Sequence, residues 1–223
     1  MLSFWKKESL TSQAVSGKVA IIGYAGHAYV VAEAAREAKL HLGYYCEKQA
    51  VVSNPFQLDY LGDEGDADFA GWNGEYQYIL GIGDNNIRHK VALKLLNQQQ
   101  EILNVIHPAA SLSKMIKIGI GNFISRQAAV NVMASIGNFC ILNTGCIVEH
   151  ECQLGDAVHI APGAVLAGSV QVGDFSFIGA NSVVKQGVKI GSNVIVGAGA
   201  VVIRDVPDGV TVVGNPGYVR FGN

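Results

Sequence analysis

The chain places an aliphatic residue at every sixth position from Ile118 to Val202, and no member of this row is polar. The row consists of Ile118, Ile124, Val130, Ile136, Leu142, Val148, Leu154, Ile160, Leu166, Val172, Ile178, Val184, Ile190, Val196 and Val202. A second row, four residues after members of the first, is mostly small and includes Ala128, Ala134, Cys140, Cys146, Cys152, Ala164, Ser176, Ser182 and Ala200. Two inward positions in each hexad predict a short strand followed by a turn.

A period of six does not match the 3.6-residue turn of an amphipathic helix, but an even period keeps the same facing along a strand. Hexapeptide repeats are typical of parallel β-helices, in which stacked coils bury a core that one repeat alone could not bury. Every third aliphatic residue is followed by glycine, as in Ile118-Gly119, Ile136-Gly137 and Leu154-Gly155, so three hexads form one larger repeat. The pattern resembles the left-handed form, a triangular prism with three hexads per coil. A β-sandwich with accidentally regular spacing is the alternative.

Length and charge narrow the classes of function. A chain of 223 residues has room for one large or two small domains. With 16 Lys and Arg against 18 Asp and Glu, the formal net charge is -2, which does not favour nucleic acid or an anionic membrane as the partner. The segment 1–17 lacks the apolar run of a signal peptide, and no apolar span of transmembrane length follows. We expect a cytoplasmic protein with a flexible segment at 1–17 and a small-molecule ligand.

The four cysteines raise the question of a disulfide or a metal site. Cys140, Cys146 and Cys152 fall in the small inward slot of successive hexads, where a reduced cysteine is a compact apolar filler. As zinc ligands together with His150 or His159 they would have to converge from different sides of the prism. We therefore expect reduced cysteines and no metal.

The region before the repeat alternates strands and helices. Lys18 to Gly23 reads as a strand that ends in glycine, and an alanine-rich helix follows it. Leu42 to Cys46 and Tyr76 to Ile82 read as further strands, and Asn86 to Gln98 as a helix capped by Asp84 or Asn85. This order predicts a small parallel sheet, an α/β domain that is Rossmann-like in style, over residues 18–106. The left-handed β-helix is expected over 107–206, with a C-terminal tail at 207–223.

Two glycine loops are candidates for a nucleotide site. Gly23 to His27 follows the first strand, where glycines permit close backbone approach and the next helix presents its N-terminus to phosphate. The loop lacks the full dinucleotide fingerprint, so a simple strand-to-helix turn explains it equally well. Gly81 to Asn86 ends another strand at what should be the same edge of the sheet. Together the two loops favour a nucleotide or nucleotide-sugar site.

The hexad array contains two histidines. His150 should stand near a corner or on an outer face, and Glu149 and Glu151 could orient its ring and raise its basicity, as a general base near neutral pH requires. An exposed structural histidine is the alternative. His159 lies nine residues further on, half an eighteen-residue coil, so within one subunit the two rings should lie on different sides of the prism. In a trimer, His150 of one subunit could face His159 of its neighbour across a shared cleft.

These residues resemble those of bacterial nucleotide-sugar acetyltransferases of the PglD/NeuD type, which are trimeric left-handed β-helix enzymes that use acetyl-CoA. The similarity covers nearly the whole chain from Lys18. It is carried by the glycine loop with His27, by Gly81 to Arg88, Leu142-Asn143, Val148 to Glu151, His159, Ala167-Gly168 and Val213 to Pro216. The resemblance implies a homotrimer with active sites at the subunit interfaces and no stable membrane insertion.

The resemblance also implies roles for residues of the repeat. His150 matches the general base and Glu151 its partner, while His159 matches a histidine that contacts acetyl-CoA near the thioester. Asn143 is implied to line the same cleft. The groups implied to hold pantetheine are Gly168 and the backbone amides of Ala180 and Ala198.

In the first domain the resemblance implies a nucleotide-sugar site. Gly26 and His27 are candidates for the diphosphate, and Asn85 for a residue that lines the pocket. Relatives with a UDP-sugar substrate often carry paired aspartates after the second strand, whereas this chain has Cys46-Glu47-Lys48. Glu47 is the candidate substitute for one of them, and the change leaves the preferred base open. Gly217 stands where alanine is common.

The expected reaction is N-acetylation of the 4-amine of a UDP-2-acetamido-4-amino-2,4,6-trideoxyhexose by direct transfer from acetyl-CoA. His150 would act as base, and backbone amides or His159 would stabilise the oxyanion. O-acetylation of a sugar of the sialic-acid type and N-acetylation of a GDP-4-amino sugar are the alternatives within the enzyme class. Outside it stand a zinc carbonic anhydrase, which would need a third histidine ligand in the repeat, and a non-catalytic trimeric scaffold.

Overall fold

The structure is a computed structural model that describes residues 17–73 and 75–220. Most of the segment 1–17, expected to be flexible, lies outside the described residues. The first part of the chain forms a five-stranded parallel sheet with the strand order β3-β2-β1-β4-β5. Its strands are β1 (Lys18–Ile22), β2 (Leu42–Cys46), β3 (Asp59–Gly62), β4 (Tyr76–Leu80) and β5 (Glu101–Ile102). Its helices are α1 (His27–Glu37), α2 (Asn85–Asn97) and a short 3-10 helix (Ala70–Asn73).

The order of the strands places the two glycine loops side by side. β1 pairs with both β2 and β4 in parallel register, so the strand order reverses at β1 and β4. Ligands of open α/β sheets bind outside the carboxyl ends of the strands at such a switch point. Here those ends are Ile22 and Leu80, which are paired partners and lead into the loops that begin at Gly23 and Gly81.

The second part is a left-handed parallel β-helix, as the hexads predict. Its two-residue strands stack into three faces. Face 1 contains β6 (Val105–Ile106), β9 (Phe123–Ile124), β12 (Ile141–Leu142), β15 (His159–Ile160), β18 (Phe177–Ile178) and β21 (Ile195–Val196). Face 2 contains β7 (Ser111–Leu112), β10 (Ala129–Val130), β13 (Ile147–Val148), β16 (Val165–Leu166), β19 (Val183–Val184) and β22 (Val201–Val202). Face 3 contains β8 (Lys117–Ile118), β11 (Ser135–Ile136), β14 (Gln153–Leu154), β17 (Gln171–Val172) and β20 (Lys189–Ile190).

Three corners join the faces in every coil. We call the turn from face 1 to face 2 the first corner, the turn from face 2 to face 3 the second corner, and the turn from face 3 back to face 1 the third corner. In one coil these are residues 143–146, 149–152 and 155–158. Each of these corners has one residue with positive φ, and from Gly121 to Gly199 such residues recur at six-residue intervals.

The two rows of the hexads form the core of the prism. Every member of the aliphatic row from Ile124 onward is buried, and Ile118 packs against the same core. The small row fills the corners, and Cys140, Cys146 and Cys152 are each 0% exposed. All four cysteines are free thiols. The prediction that the repeat cysteines point inward is confirmed.

Glycine at the third corner has a steric cause. A Cβ on Gly137 would lie 2.5 Å from the carbonyl oxygen of Gly155 in the next coil. Real Cβ atoms do not approach so closely, so the coils could not stack at this spacing with alanine there. An Asx ladder reinforces the corner, since Asp156 accepts from the backbone N–H of Asn138 and Asp174 accepts from that of Asp156.

The stack is longer than the aliphatic row. Ile106 and Leu112 add two hexads before Ile118 and pack against the same core. After β22, strand β23 (Thr211–Val213) returns to face 1 in parallel with β21, and β24 (Tyr218–Arg220) pairs with it in antiparallel register. The intervening loop of 203–210 breaks the period of six, so part of the expected tail belongs to the β-helix.

Candidate active site

His150 and Glu151 form a side-chain pair at the second corner. The ring Nδ1 lies 3.2 Å from Oε2 of Glu151, and the two side chains are 45% and 53% exposed. Glu149 is near the same backbone, because its Oε2 accepts from the His150 N–H at 3.4 Å. A carboxylate that accepts from Nδ1–H leaves Nε2 with its lone pair free. The arrangement therefore presents an oriented ring nitrogen that can accept a proton at the surface of the prism.

Gly168 lies directly beside this ring. A Cβ built on Gly168 would lie 2.4 Å from Cε1 and 2.5 Å from Nε2 of His150. Gly168 occupies the second corner of the next coil, and its neighbour Ser169 donates its N–H to the His150 carbonyl. The ring occupies the space that any larger residue at 168 would need.

Asn143 and His159 form a second group. Asn143 is at the first corner and His159 is in β15, where the Asn143 Nδ2 is 3.3 Å from the His159 Nε2. His159 is only 8% exposed, and its ring contacts Phe177 edge-on with centroids 4.9 Å apart. If Nε2 accepts from Asn143, the proton of the neutral ring is on Nδ1.

His27 brings the first domain to this second group. As the first residue of α1 it lies 6.2 Å from the His159 ring and 5.5 Å from the Phe123 ring, measured between centroids. The Nε2 of His27 and the Nδ1 of His159 are buried with no hydrogen-bond partner among the described residues. The resemblance implied a diphosphate role for His27, and the structure places its ring against the β-helix.

Burial keeps both of these histidines neutral. Desolvation, followed by the positive charge of Arg88, lowers the pKa of His159 to about 3. The same two causes lower the pKa of His27 to about 4. At neutral pH both rings therefore combine one N–H donor with one acceptor nitrogen and carry no charge.

The two groups lie at opposite edges of face 2. Asn143 is at the first corner, which precedes β13, and His150 is at the second corner, which follows β13. His159 is in face 1, so the prediction that His150 and His159 stand on different sides of one prism is confirmed. One chain thus presents two groups of side chains that are separated by the width of a face.

The glycine loops adjoin each other at the sheet edge. A Cβ on Gly81 would lie 2.5 Å from the Gly23 carbonyl oxygen and 2.7 Å from the Cβ of Ala28, so the loops pack at backbone distance. Gly26, the N-cap of α1, has positive φ and is exposed, with no atom within 4 Å of its ideal Cβ position. An open helix N-terminus between two glycine loops fits an anionic group such as a diphosphate.

Glu47 is tied to the first loop. Its Oε1 accepts from the Tyr24 N–H at 2.7 Å, and the Glu47 carbonyl accepts from the Tyr60 hydroxyl at 3.0 Å. Glu47 directly follows β2, as the sequence indicates, and it is half-buried. Its position beside the loop is suitable for contact with a ribose, although one oxygen is already engaged.

Asn85 has a structural engagement that the sequence did not indicate. Its Nδ2 donates to the carbonyl oxygens of Phe175 and Ser176, and its Oδ1 accepts from Arg88. Arg88 is 1% exposed, although a charged residue on a helix next to a loop is normally solvated. In the sequence, Arg88 closes the motif from Gly81 to Arg88, which by itself indicates no role for the arginine. Its position three residues after Asn85, one helical turn, was the available signal.

Ala180 and Ala198 stack at the first corner, eighteen residues apart. The Ala180 carbonyl accepts from the Gly199 N–H at 2.8 Å, and Ala198 is exposed. A Cβ on Gly179 would be 2.6 Å from the Ala198 nitrogen. These two residues share an edge of face 2 with Asn143, whereas Gly168 is at the other edge.

Neither a metal centre nor a thiol nucleophile emerges from the described residues. In residues 17–73 and 75–220 no group of three His, Cys, Asp or Glu side chains could hold a metal ion. Burial raises the pKa of Cys152 to about 11 and that of Cys146 to about 12, so both thiols stay protonated. In the same part of the chain, no helix is both long and apolar enough to cross a bilayer.

Comparisons with known proteins agree with this geometry. The PglD N-terminal domain family matches residues 18–95, and the bacterial transferase hexapeptide family, with six repeats, matches residues 169–204. A variant of the perosamine N-acetyltransferase from Caulobacter crescentus, solved with CoA and GDP-perosamine, is 35% identical. The alignment covers 93% of this chain and 98% of that chain with a TM-score of 0.86.

Two further solved structures are similar over most of their length. The acetyltransferase domain of PglB from Neisseria gonorrhoeae, in complex with acetyl coenzyme A, is 31% identical over 91% of this chain and 98% of that chain, with a TM-score of 0.85. WeeI from Acinetobacter baumannii AYE is 25% identical over 92% of this chain and 100% of that chain, with a TM-score of 0.82. The chain therefore belongs to the PglD-type nucleotide-sugar acetyltransferases, a family of acetyl-CoA-dependent hexapeptide-repeat acyltransferases.

Proposed function

We propose that the enzyme transfers the acetyl group of acetyl-CoA to the 4-amino group of a nucleotide-linked 4-amino-4,6-dideoxy sugar. The observation that carries this proposal is the His150–Glu151 pair, which is exposed at a corner of the β-helix. The β-helix directly follows an α/β domain that is Rossmann-like in style. Similarity to an enzyme solved with CoA and GDP-perosamine, a GDP-linked amino sugar, supports an amine as the acceptor.

His150 is the proposed general base. Its Nε2 takes the proton that the amine must lose as the new C–N bond forms at the thioester carbonyl, and Glu151 holds the resulting imidazolium. When the C–S bond breaks, the same proton passes from His150 to the departing CoA sulfur. The ring returns to its starting state, and no covalent acyl-enzyme is needed.

The neutral His159 and Asn143 are the proposed partners of the thioester. With Nε2 turned to Asn143, the Nδ1–H of His159 is a buried donor near the Gly83 backbone that makes no hydrogen bond of ordinary geometry. An oxyanion that develops at the acetyl carbonyl would supply an acceptor, and fixed donors in a desolvated site stabilise such charge strongly. Backbone N–H groups at the corners are the alternative donors.

We propose a homotrimer in which face 2 surrounds the three-fold axis. From β10 to β22 the outward residue of each of its strands is apolar, whereas Ser111 in β7 and the outward residues of face 3 are polar. The face 2 row is Ala129, Ile147, Val165, Val183 and Val201, and the face 3 row is Lys117, Ser135, Gln153, Gln171 and Lys189. An apolar stripe along a polar prism fits burial against copies of the same chain.

A three-fold arrangement of this kind would complete the active site. When three prisms turn the same face toward a common axis, the leading edge of each meets the trailing edge of the next. The first corner with Asn143 and His159 would then adjoin the second corner of a neighbour, with its His150 and Gly168. We call each group a half-site. The half-sites of neighbouring chains would pair at each of the three interfaces, so the trimer would contain three whole sites.

The assembly can be tested by its mass in solution. Val183 is 39% exposed in the isolated chain, and Val183→Glu would place a charge in the proposed interface. We expect monomers by light scattering and a loss of activity. Gln171→Glu on face 3 adds the same charge outside the interface and should remain trimeric. Wild-type mass for Val183→Glu would contradict the proposed interface.

Acetyl-CoA is the proposed donor, with its pantetheine arm along the cleft between two prisms. Gly168 would line one side of this cleft, and the backbone groups of Ala180 and Ala198 would line the other. The exposed corner at Ala198 and the lack of a side chain at Gly168 leave room for an extended chain.

The first domain is proposed to hold the nucleotide. Gly26 and the N-terminus of α1 would contact the diphosphate, Glu47 the ribose, and His27 and Asn85 would lie at the end of the pocket that faces the β-helix. Our proposed substrate is UDP-2-acetamido-4-amino-2,4,6-trideoxyhexose. A GDP-linked amino sugar is the second candidate, because the chain is 35% identical to an enzyme solved with GDP-perosamine.

The test follows release of the CoA thiol from acetyl-CoA with a panel of UDP- and GDP-linked 4-amino sugars. Rapid release with one member would establish the acceptor sugar and the nucleotide, UDP or GDP, to which it is linked. Release only with hydroxylated sugars would move the assignment to O-acetylation. No release with any sugar, in a protein that binds CoA, would defeat the proposed acceptor class.

A further inference from the structure

The first turn of α2 is bonded to three successive coils of the β-helix. The Nε of Arg88 donates to the Phe139 carbonyl at 2.7 Å, and its Nη2 donates to the Ala157 carbonyl at 3.1 Å. The Nδ2 of Asn85 donates to the Phe175 carbonyl at 2.9 Å. The three acceptors are eighteen residues apart, so each is the same position of the third corner in its coil. Two side chains thus connect one helix to a column of equivalent backbone carbonyls.

The same guanidinium holds the second glycine loop. Nη1 of Arg88 donates to the carbonyls of Ile82 at 3.2 Å and Gly83 at 2.9 Å, and Nη2 also donates to Oδ1 of Asn85 at 2.8 Å. Together with the two coil carbonyls, these acceptors use all five N–H donors of the arginine. The fork therefore links the loop on one side to the coils on the other.

The burial of the Arg88 guanidinium costs folding free energy, so a role for its geometry is needed to explain it. Arg88 is 1% exposed, and none of its hydrogen-bond acceptors is a carboxylate. Asp84 is the nearest source of negative charge but makes no hydrogen bond to Arg88. A buried cation that is not directly paired is destabilising, and an apolar contact could join two domains at lower cost. Lysine could keep the charge but not the planar fork that addresses five acceptors. The observed hydrogen bonds suit a residue that fixes both the orientation and the distance of the second glycine loop relative to the coils.

The second glycine loop, which Arg88 holds, leads to His27 and His159. Gly83 lies beside His27, since a Cβ on Gly83 would be 3.7 Å from the Cβ of His27. His27 in turn faces His159 across the domain boundary. A shift of the loop relative to the coils would therefore move the nucleotide-binding edge relative to the coil that carries His159.

We propose that Arg88 is a positioning residue that fixes the second glycine loop, and with it the bound nucleotide sugar, relative to the coils where acetyl transfer occurs. The inference rests on the proposed function, because it requires a nucleotide sugar held by the first domain. Arg88 touches neither substrate in this account. It acts through the Ile82-Gly83 backbone and through Asn85.

Positioning has a kinetic signature that differs from a binding role. Each domain would still bind its own ligand when Arg88 is changed, because Arg88 makes no hydrogen bond to the first glycine loop or to the first and second corners of the β-helix. The amine and thioester would lose their alignment, and a displacement of about 1 Å can reduce turnover on the order of 10²-fold. We therefore expect kcat to fall while the Kd values of UDP, GDP and CoA change less than about twofold, a factor within the usual scatter for sites without shared contacts.

The test compares Arg88→Lys and Arg88→Met with Lys90→Met, an exposed position of the same helix. Calorimetry with UDP, GDP and CoA gives the three Kd values, and CoA-thiol release gives kcat with whichever nucleotide sugar the wild type accepts. A large loss of kcat at unchanged Kd supports positioning. Wild-type kcat in both variants, or weakened binding of every ligand, overturns it.

Hydrogen exchange supplies a readout that does not depend on the acceptor. In Arg88→Lys, which keeps the charge but not the planar fork, we expect faster exchange at the amides of Gly83 to Arg88, with the strands of face 3 unchanged. Unchanged exchange in the first turn of α2 would overturn the proposal. A wild type that turns over no nucleotide sugar would instead count against the proposed function, and the exchange result would still judge Arg88.

Discussion

The imidazole of His150 occupies the space into which a side chain at Gly168 would project. The ideal Cβ of Gly168 would lie 2.5 Å from Nε2, the nitrogen that the proposed mechanism uses. Gly168 has no positive φ, so alanine would bring a steric conflict without backbone strain. The position of the His150 ring therefore depends on the absence of a side chain at Gly168, one coil later.

We expect Gly168→Ala to reduce kcat on the order of 10²-fold by displacing the base from its place, while the fold persists. Gly43→Ala is the matched control, because its Cβ would meet no atom within 4 Å. Steady-state kinetics and the melting temperature of both variants are the measurements. Wild-type turnover in Gly168→Ala would show that the ring can move aside without loss.

Replacement of the base itself should have the largest effect. We expect His150→Asn to reduce kcat roughly 10²–10⁴-fold, the usual contribution of a positioned base, with the assembly intact. Glu151→Gln should cause a smaller loss, because it retains an acceptor oxygen for Nδ1–H but loses the charge that holds the imidazolium. Rates with one saturating nucleotide sugar would check both. A His150→Asn enzyme with the wild-type rate would remove this residue from the mechanism.

The β-helix was predictable because its regularity is local. Each hexad repeats one inward aliphatic residue and one inward small residue, so the period alone reports the coil. The same spacing already begins before Ile118 in the sequence, because Ile106 and Leu112 lie six residues apart, Ala110 follows Ile106 by four, and all three pack against the core. The strand at Thr211–Val213 follows a loop that is not a multiple of six, and periodicity cannot identify such a continuation.

The site was only partly predictable. The hexad count placed His150 at a corner and His159 on another face, since both follow from spacing within a coil. The contact between His27 and His159, 6.2 Å between ring centroids, depends on how two domains dock, and no local pattern encodes that. Burial of Arg88 was hidden for the same reason, because a helix pattern shows only which face is apolar and not which carbonyls meet it.

The neutral histidines predict sensitivity to acid. In the folded chain the pKa is about 3 for His159 and about 4 for His27. In the unfolded chain both histidines have ordinary pKa values near 6.5, so below about pH 6.5 the unfolded chain binds more protons than the folded chain does. Stability is therefore fully present above about pH 6.5 and is lost as pH falls toward 4. The slope for each ring approaches about 1.4 kcal/mol per pH unit.

We expect His159→Gln to lose about one of these slopes, measured as the free energy of urea unfolding between pH 7 and pH 5. His41→Gln, which replaces an exposed histidine, is the matched control. The same pH dependence in His159→Gln and the wild type would show that His159 is not held neutral in the folded protein.

Mixed trimers test whether the two half-sites belong to different chains. His150→Asn destroys the half-site at the second corner, and Asn143→Ala damages the one at the first corner, so each homotrimer should be nearly inactive. Coexpression with two affinity tags would yield trimers that contain both variants. In a ring of three, a chain with an intact first corner meets a chain with an intact second corner at one interface out of three. We therefore expect about a third of wild-type activity in tandem-purified mixed trimers. If both half-sites acted within one chain, no mixture would regain activity, because every chain carries one damaged half.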